Sequence, residues 1–293
     1  MAVVTASLVD AAHAKVNLTL RVVGRRADGY HELESLVAFA DIGDALQLET
    51  GLPLNLEIEG SYAAACGAPA DNLVLKAAAA FAARVPGLRL GRFLLTKELP
   101  VAAGIGGGSA DAAAALRLLV HGNRQIFGRV DFADQRVREV ALGVGADVPV
   151  CLASRACIMR GVGEELSPPL DLPRLPALLV NPSVPLATRD VFARLAGKFS
   201  TASPAEVPRE FAALIKWLGA NGNDLTGPAI ACVPVIADVL NALRGLPGAR
   251  LARMSGSGPT CFALFASVEE AAAAAPLLQA DHKDWWVQSA TLR

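Results

Sequence analysis

Residues 100–116 read PVAAGIGGGSADAAAAL, a glycine-rich loop followed by a run of strong helix formers. Four of the five residues from Gly104 to Gly108 are glycine. Glycine adopts positive φ and lets another molecule approach the backbone, at an entropic cost in folding. Free N–H groups and the partial positive charge at a helix start favour an anion. The stretch therefore predicts an anion-binding loop, with a tight strand-to-helix connection as the structural alternative.

Two common phosphate-binding motifs do not fit this loop. A P-loop requires a lysine after its last glycine, but here the helix opens with Ser109, Ala110 and Asp111. A dinucleotide fingerprint would need a glycine at position 109, and the glycine pairs at 143–145 and 256–258 also lack the third glycine. The free N–H groups and partial positive charge of a helix N-terminus still favour an anion, and we expect this anion to be the phosphates of a nucleotide.

The composition limits the possible partners. The chain has 293 residues, with 27 Lys and Arg against 28 Asp and Glu, so its net charge is -1. No overall field attracts nucleic acid or an anionic membrane, and we expect neither as a partner. The hydrophobic fraction is 53%, but no stretch has the roughly 18 uncharged apolar residues of a membrane span.

We also expect a cytoplasmic protein. The N-terminal stretch MAVVTASLVDAAHA lacks a basic segment and carries Asp10, which disfavours a signal peptide. The five cysteines are odd in number and contain no C-x-x-C pair, which favours reduced core thiols over disulfides or structural zinc. No fixed metal site is evident in the sequence, and we assign no metal ligand.

The N-terminal half combines strands and helices without regular alternation. Residues 14–23, AKVNLTLRVV, alternate as a strand with one buried side and one polar, solvated side. Extended segments at 33–49 and 54–60 follow, and then a helix capped by Asp71 or Asn72. A strand at 91–99 leads to the glycine loop, a helix with Ser109 or Asp111 at its mouth, and a further helix at 134–143. This order predicts an α+β fold.

The composition changes around residues 161–190, which are rich in proline. We place a domain boundary there, with one domain at residues 1–162 and a second at 163–293. The second part shows helical patterns at 191–195, 210–219, 235–245 and 269–280, a strand, glycine turn and strand at 250–265, and a last strand at 285–292. This arrangement predicts a split β-α-β layer.

Four motifs in order resemble one superfamily. The stretch PVAAGIGGGSADAAAAL is similar to the phosphate-binding motif of the GHMP kinases, and AKVNLTLRVVGRRADGYHELESL, GADVPVCL and RMSGSGPTCFALF agree with it. Together they resemble a member whose acceptor carries a cytidine diphosphate. Ile105 and Ala110 depart slightly from the usual pattern, with residues of similar size or helix propensity.

The resemblance implies a fold and a phosphoryl donor. It implies an α+β, two-domain GHMP kinase fold, with an N-terminal ribosomal protein S5 domain 2-like part and a C-terminal ferredoxin-like α/β sandwich. ATP would be the phosphoryl donor, and Mg²⁺ would arrive mainly with the ATP phosphates. The small-molecule substrate would be a cytidine diphosphate derivative.

Lys15 and Asp147 are the catalytic candidates. By itself, Lys15 in its strand is expected to be a solvated lysine. Asp147 lies between a helix-ending glycine and Val148, which Pro149 should make extended, so a turn or cap carboxylate is the alternative role. The resemblance implies that Asp147 is the general base toward the substrate hydroxyl and that Lys15 orients it. Because a nearby lysine lowers the pKa of an aspartate, proton abstraction and orientation both stay open for Asp147.

The resemblance also implies two binding sets. Residues near ATP would be Asn72, Leu73, Lys97, Pro100, Gly104, Gly106, Gly107, Gly108, Ser109 and Ala110. Residues near the substrate would be Asn17, Tyr30, His31, Thr188, Phe192, Gly256, Ser257 and Gly258. Within the second set, Tyr30 and Phe192 would stack on the cytosine and His31 would contact its polar edge.

Each of these residues has a structural alternative. Tyr30 could pack on the core, His31 could cap its loop, and Phe192 could be a core residue of a short helix. Lys97 could be an edge-strand charge, and the turn at 255–260 could be a β-hairpin turn without a ligand.

Two other functions compete with the cytidine-substrate kinase. One is another GHMP kinase, of the mevalonate or homoserine type, whose acceptor carries no base. The other is a nucleotide-binding module without catalysis, against which the presence of both Lys15 and Asp147 argues. We expect a monomer or a weak homodimer.

Overall fold

The computed structural model describes residues 7–128, 132, 134–195, 197, 199–201 and 206–293. Residues 1–6, which begin the stretch where we expect no signal peptide, lie outside the described part. The contacts divide the chain into two compact units. The first unit holds residues up to 14 with 42–101 and 106–154, and the second holds 15–41, 102–105 and 155–293. The domain boundary between residues 162 and 163 stays a prediction.

The described residues form strands and helices as follows. The strands are β1 (Ser7–Asn17), β2 (Arg21–Arg25), β3 (His31–Thr50), β4 (Asn55–Glu59), β5 (Gly91–Thr96), β6 (Cys157–Gly161), β7 (Glu165–Leu166), β8 (Leu175–Asn181), β9 (Leu251–Met254), β10 (Cys261–Leu264) and β11 (Trp286–Leu292). The helices are α1 (Leu73–Arg84), α2 (Gly107–Gly122), α3 (Arg124–Phe127), α4 (Gln135–Val144), α5 (Val148–Ala153), α6 (Thr188–Ala193), α7 (Phe211–Ala220), α8 (Thr226–Cys232), α9 (Val235–Gly245) and α10 (Val268–Asp281).

In the first unit, helices surround the alanine-rich helix α2. Strand β5 pairs antiparallel with residues 45–50 of β3 and parallel with β4. Helix α2 packs against α1, α4 and α5. Its residues 112–116 are fully buried, because alanine side chains let neighbouring helices approach closely without leaving cavities. This packing fixes the direction of α2, whose first turn follows the glycine loop.

In the second unit, four strands form an antiparallel sheet in the order β11-β8-β10-β9. Strands β8 and β9 are both antiparallel to β10, which lies between them, so the predicted split β-α-β arrangement is confirmed. Helices α9 and α10 pack on this sheet. Their apolar faces and the strands enclose a buried core that includes Val180, Leu240, Phe265 and Leu278.

Several local predictions are confirmed. Asn72 caps α1, because its Oδ1 accepts the N–H of Val74 at 2.9 Å. The predicted helix at 134–143 appears as α4, and Asp134 caps it by accepting the N–H of Arg136 at 2.9 Å. The predicted strand, glycine turn and strand appear as β9, residues 255–260 and β10. The mixed α+β class is also confirmed.

The prediction for residues 14–23 was wrong in two respects. The extended segment begins earlier, ends at Asn17, and resumes at Arg21 as a separate strand. Its polar face is also not solvated, since Lys15, Asn17 and Thr19 are all buried. The reason lies in the second unit, where the backbone of residue 105 accepts the N–H of Lys15 and Ser255 accepts the N–H of Asn17.

Two helix boundaries also differ from the prediction. Helix α2 begins at Gly107, two residues before Ser109, since Gly106 takes the left-handed conformation that ends the loop. Val148, expected to be extended, is instead the first residue of α5. Pro149 is tolerated there because the first N–H groups of a helix have no intrahelical acceptor.

The five cysteines are all free thiols, and Cys151, Cys157 and Cys261 are buried. Among the described residues, no helix is long and apolar enough to cross a membrane.

We expect Phe81→Ala to lower the free energy of unfolding by about 3–5 kcal/mol, the usual cost of a cavity left by a buried ring. Phe81 is fully buried in α1, and its ring stacks on Phe127 with centroids 5.6 Å apart. Urea denaturation followed by circular dichroism measures the change. The control is Leu142→Ala, since Leu142 is 47% exposed and should cost about 0.5 kcal/mol or less. Equal losses in the two variants would contradict this account of the core.

Candidate active site

The glycine loop contributes residues to both units, and each part is described in its own unit. Residues 102–105 belong to the second unit, and Gly106 with α2 belongs to the first. Lys15 and Asp147, the catalytic candidates, also belong to different units.

In the first unit, the N-terminus of α2 is open to an anion. Gly106 has φ 65°, no side chain of the described residues forms a cap hydrogen bond there, and the first turn contains no acidic residue. Gly108 is exposed, whereas Ala110 is buried against the core. A first turn with N–H donors and no carboxylate of its own favours a phosphate group.

Lys97 lies beneath this turn in a buried cluster of charges. Its Nζ is 2.5 Å from Asp44 Oδ2 and 2.6 Å from Asp111 Oδ2, and all three residues are at most 3% exposed. The alternative of an edge-strand charge for Lys97 was therefore wrong. We call Asp44, Lys97 and Asp111 the buried triad. Sequence reasoning missed the two aspartates, since nothing in their local sequence pairs them with residue 97.

Asn72, Leu73 and Pro100 lie near the same region of the first unit. The Asn72 side chain is engaged at the start of α1. A Cβ atom at Gly108 would meet Leu73 Cδ1 at 3.7 Å, so these two predicted ATP-binding residues are adjacent. Pro100 is buried directly before the loop, and Ser109 is half-buried in the first turn of α2.

Asp147 is half-buried and directly precedes α5. No side-chain cap hydrogen bond from Asp147 to α5 is present, so the helix-cap alternative receives no support. Helix α5 is held by Arg117 of α2, whose guanidinium donates to the Cys151 carbonyl at 2.8 Å and pairs with Asp10 at 2.7 Å. Arg117 therefore connects the helix that follows Asp147 to the helix that follows the glycine loop.

In the second unit, Lys15 is 3% exposed. Burying an ammonium group costs free energy unless the group is paired. A buried lysine is therefore more typical of a functional site than of a solvated surface. Burial raises the pKa of the nearby Cys157 thiol to about 11, and the positive charge of Lys15 opposes that rise. The cysteine therefore stays neutral beside the lysine at physiological pH.

The two glycine turns of the second unit are in direct backbone contact. Gly104 has φ +74°, and a Cβ atom there would lie 2.5 Å from the carbonyl oxygen of Gly258. Ser255 donates its hydroxyl to the Gly104 carbonyl at 3.0 Å. The turn at 255–260 therefore joins two strands of a β-hairpin and also packs against the loop that contains Gly104.

Other predicted substrate residues gather around this turn. A Cβ atom at Gly256 would lie 3.4 Å from Asn17 Oδ1, a buried oxygen that has no hydrogen-bond partner in the described part of the chain. The hydroxyls of Thr188 and Ser257 are 2.9 Å apart. Sequence reasoning missed the role of Asn223, whose Nδ2 donates to the carbonyls of residues 254 and 256 and holds the turn.

Tyr30, His31, Thr188 and Phe192 line one cavity of about 690 Å³ in the second unit. The His31 and Phe192 rings stack with centroids 5.0 Å apart. Tyr30 is 66% exposed, so the alternative that it packs on the core was wrong. His31 is the first residue of β3 and lies opposite Arg25 of β2 in the antiparallel strand pair. The alternative that His31 only caps its loop was therefore wrong.

The charges of this cavity favour a neutral histidine. Burial, and then the positive charge of Arg25, lower the pKa of His31 from 6.5. A neutral imidazole has one donor and one acceptor nitrogen. Asp28 is engaged elsewhere, since it pairs with Arg26 at 3.1 Å and accepts the N–H of Tyr30 at 3.1 Å. The cavity thus offers flat rings and a neutral polar edge, which suit a nucleobase.

Among the described residues, no group of three or more His, Cys, Asp or Glu side chains could hold a metal ion.

Comparison with known families defines the class. The family model of the GHMP kinases N terminal domain matches residues 72–155, and the model of the GHMP kinases C terminal domain matches residues 201–280. The first match covers the glycine loop, α2 and Asp147. These matches define the fold as that of a GHMP kinase.

The relatives narrow the class further. A 4-diphosphocytidyl-2-C-methyl-D-erythritol kinase of Rhodopseudomonas palustris (strain HaA2) is 55% identical, over 98% of this chain and 99% of the relative. One of Bradyrhizobium diazoefficiens is 54% identical over 98% of both chains. The crystal structure of a 4-(cytidine 5'-diphospho)-2C-methyl-D-erythritol kinase matches with a TM-score of 0.78 and 34% identity, over 97% of this chain and 99% of that one. The chain belongs to the 4-diphosphocytidyl-2-C-methyl-D-erythritol kinase family of the GHMP kinases.

We expect Gly104→Ala to lower the free energy of unfolding by about 1–3 kcal/mol, because alanine is strained at positive φ. Its Cβ would also press on the Gly258 carbonyl. The matched control is Gly143→Ala in α4, where a Cβ meets nothing within 4 Å. Alanine there should stabilise by about 0.5–1 kcal/mol. Thermal and urea unfolding of both variants tests this, and a neutral Gly104→Ala would contradict the close contact of the two turns.

Proposed function

We propose that the chain transfers the γ-phosphoryl group of ATP to the 2-hydroxyl of 4-diphosphocytidyl-2-C-methyl-D-erythritol. The products are the 2-phosphate and ADP, and the reaction belongs to the non-mevalonate pathway of isoprenoid precursor biosynthesis. The observation that carries this proposal is the 55% identity to a kinase of that name over 98% of the chain.

The cavity of the second unit supports a cytidine-bearing acceptor. Tyr30 and Phe192 supply aromatic faces for the cytosine, and His31 supplies a neutral donor and acceptor for its polar edge. Asn17, Thr188 and the residues 256–258 would contact the methylerythritol part and its phosphates. An acceptor of the mevalonate or homoserine type carries no nucleobase, so it would not stack on these rings. Competition by cytidine diphosphate separates the two cases.

The first unit supports ATP as the donor. The open first turn of α2, with Gly106, Gly107, Gly108 and Ser109, offers N–H groups for the phosphates. Asn72, Leu73, Lys97, Pro100 and Ala110 of this unit belong to the proposed ATP set as well. Its remaining member, Gly104, is a loop residue of the second unit. Mg²⁺ would be carried by the ATP phosphates, where it compensates their charge.

Asp147 and Lys15 would act on the acceptor hydroxyl. The 2-oxygen forms a bond to the γ-phosphorus while the bond from that phosphorus to the β-phosphate oxygen breaks, and ADP leaves. Asp147 orients the hydroxyl and accepts its proton. Lys15, as a buried cation, steadies the negative charge that develops on the attacking oxygen. We propose that this occurs in the cytoplasm in a monomer or weak homodimer, without nucleic acid or membrane.

Asp147→Asn should lower turnover by about 10² or more, the usual effect of losing a general base. Substrate binding should change by less than about tenfold, since the amide keeps the shape of the carboxylate. Release of ADP from ATP and the cytidine substrate measures both constants. Asp171→Asn, at an exposed carboxylate, is the control and should turn over like the parent. Full turnover by Asp147→Asn would refute its assignment as the base.

The KM for the cytidine substrate should rise as the pH falls. The pKa of His31 is below 6.5, so its imidazole is neutral above pH 6.5 and gains a proton only as the pH falls below that value. Protonation removes the acceptor nitrogen and adds a positive charge in the cavity. Steady-state kinetics from pH 5 to 8 measure this rise. His31→Gln, which does not titrate, should show a higher KM that stays constant with pH; a sloping profile in that variant would exclude His31 as the cause.

A further inference from the structure

The buried triad connects the two segments that flank the glycine loop in the first unit. Asp44 Oδ1 accepts the backbone N–H groups of Glu98 and Leu99 at 2.6 and 2.8 Å, which fixes the chain directly before the loop. Asp111 belongs to α2, directly after the loop. Lys97 bonds to both carboxylates and so connects the segment that enters the loop with the helix that leaves it.

The Lys97 ammonium also lies directly against the first residue of α2. A Cβ atom at Gly107 would be 3.2 Å from Lys97 Nζ and 3.8 Å from Asp44 Oδ2. The charges of the triad are therefore a few ångströms from the N–H groups proposed to bind phosphate. At such distances, in a poorly hydrated environment, a single charge changes anion affinity.

The triad has one cation for two carboxylates. If both carboxylates ionise, a net charge of -1 is buried beside the loop. Asp111 Oδ1 has no hydrogen-bond partner among the described residues, as expected for a carboxyl group that is not fully compensated. A proton on Asp111 would leave the triad neutral.

We propose that the buried triad positions the phosphate-binding turn of α2 and sets its charge. Lys97 is the positioning residue that holds the turn, and protonation of Asp111 is the step that strengthens ATP binding. Ionised Asp111 leaves a negative charge beneath the turn and weakens ATP binding. This inference rests on the proposed function only in taking ATP as the ligand of the turn.

The groups that face Asp111 agree with a titration near neutral pH. Burial raises the pKa of Asp111 to about 7, with Asp44 acting in the same direction and Lys97 opposing. Burial alone would lower the pKa of Lys97, but attraction to Asp111 and Asp44 outweighs it and raises the pKa, so the lysine stays charged. Cys66, in the short turn at 63–66, has a pKa raised by burial and contributes no charge at neutral pH.

The test is the dissociation constant of ATP, measured by calorimetry with excess Mg²⁺ from pH 6 to 8. In the parent we expect it to rise by about threefold or more as Asp111 ionises. Asp111→Asn, which mimics the protonated state, should remain constant and at pH 8 bind ATP as the parent does at pH 6. Lys97→Met should bind ATP about tenfold more weakly throughout, since the turn loses its support. Lys216→Met, at an exposed lysine of α7, is the matched control.

Two results would overturn the inference: an Asp111→Asn profile that slopes like the parent, or Lys97→Met binding equal to the parent at every pH. If Lys97→Met does not fold, the Asp111→Asn profile decides alone. Turnover is assayed in parallel. Parent protein that binds ATP with the expected profile but does not phosphorylate the cytidine substrate refutes the proposed function and supports the triad. Normal turnover with pH-independent ATP binding refutes the triad alone.

Discussion

A buried lysine with two aspartates is the constraint on which the first unit depends. Lys97 cannot leave its position without exposing two carboxylates to an apolar interior, a change that costs several kcal/mol per ion. Strand β3, the end of β5 and the start of α2 are therefore held in one arrangement by Asp44, Lys97 and Asp111. The glycines between β5 and α2 have little rigidity of their own. In the first unit, the charges beneath the start of α2 hold its first turn in place.

In the second unit, glycine turns are held in place by a different kind of interaction. Here the backbones of two glycine turns lie against each other, and Ser255 and Asn223 supply the hydrogen bonds that hold them. The side chains that make these hydrogen bonds are neutral. The polar face of β1 is covered in the process, so Lys15 and Asn17 become interior residues. Burial strengthens the electrostatic effect of such groups on a substrate.

Much of the fold could be predicted because its signals are local. The cap at Asn72, the alanine run of α2 and the hairpin around residues 255–260 each depend on neighbours in sequence. The predictions were wrong where contacts with distant segments of the chain determine the local structure. Lys15 and Asn17 looked solvated, since no local pattern shows that residues 105 and 255 cover them. Helix α5 was missed because the effect of Pro149 on Val148 depends on whether a helix begins there.

The residues of the candidate site also fall into those that local motifs predict and those that depend on distant partners. The glycine loop and the aromatic residues 30 and 192 were predicted from motifs, and Tyr30 and Phe192 line one cavity in the structure. Asp44, Asp111 and Asn223 were not found, because each acts through a partner more than ten residues away along the chain. Support of this kind leaves no spacing pattern in a single sequence.

The contact between Gly104 and Gly258 also limits how this protein can vary. With a carbonyl oxygen only 2.5 Å from the place of a Cβ at residue 104, a larger residue there requires the other turn to withdraw. The two positions are 154 residues apart in the chain, yet each restricts the choices at the other. Transplanting either loop into a different scaffold would therefore require moving both, as a single structural part made of two pieces of sequence.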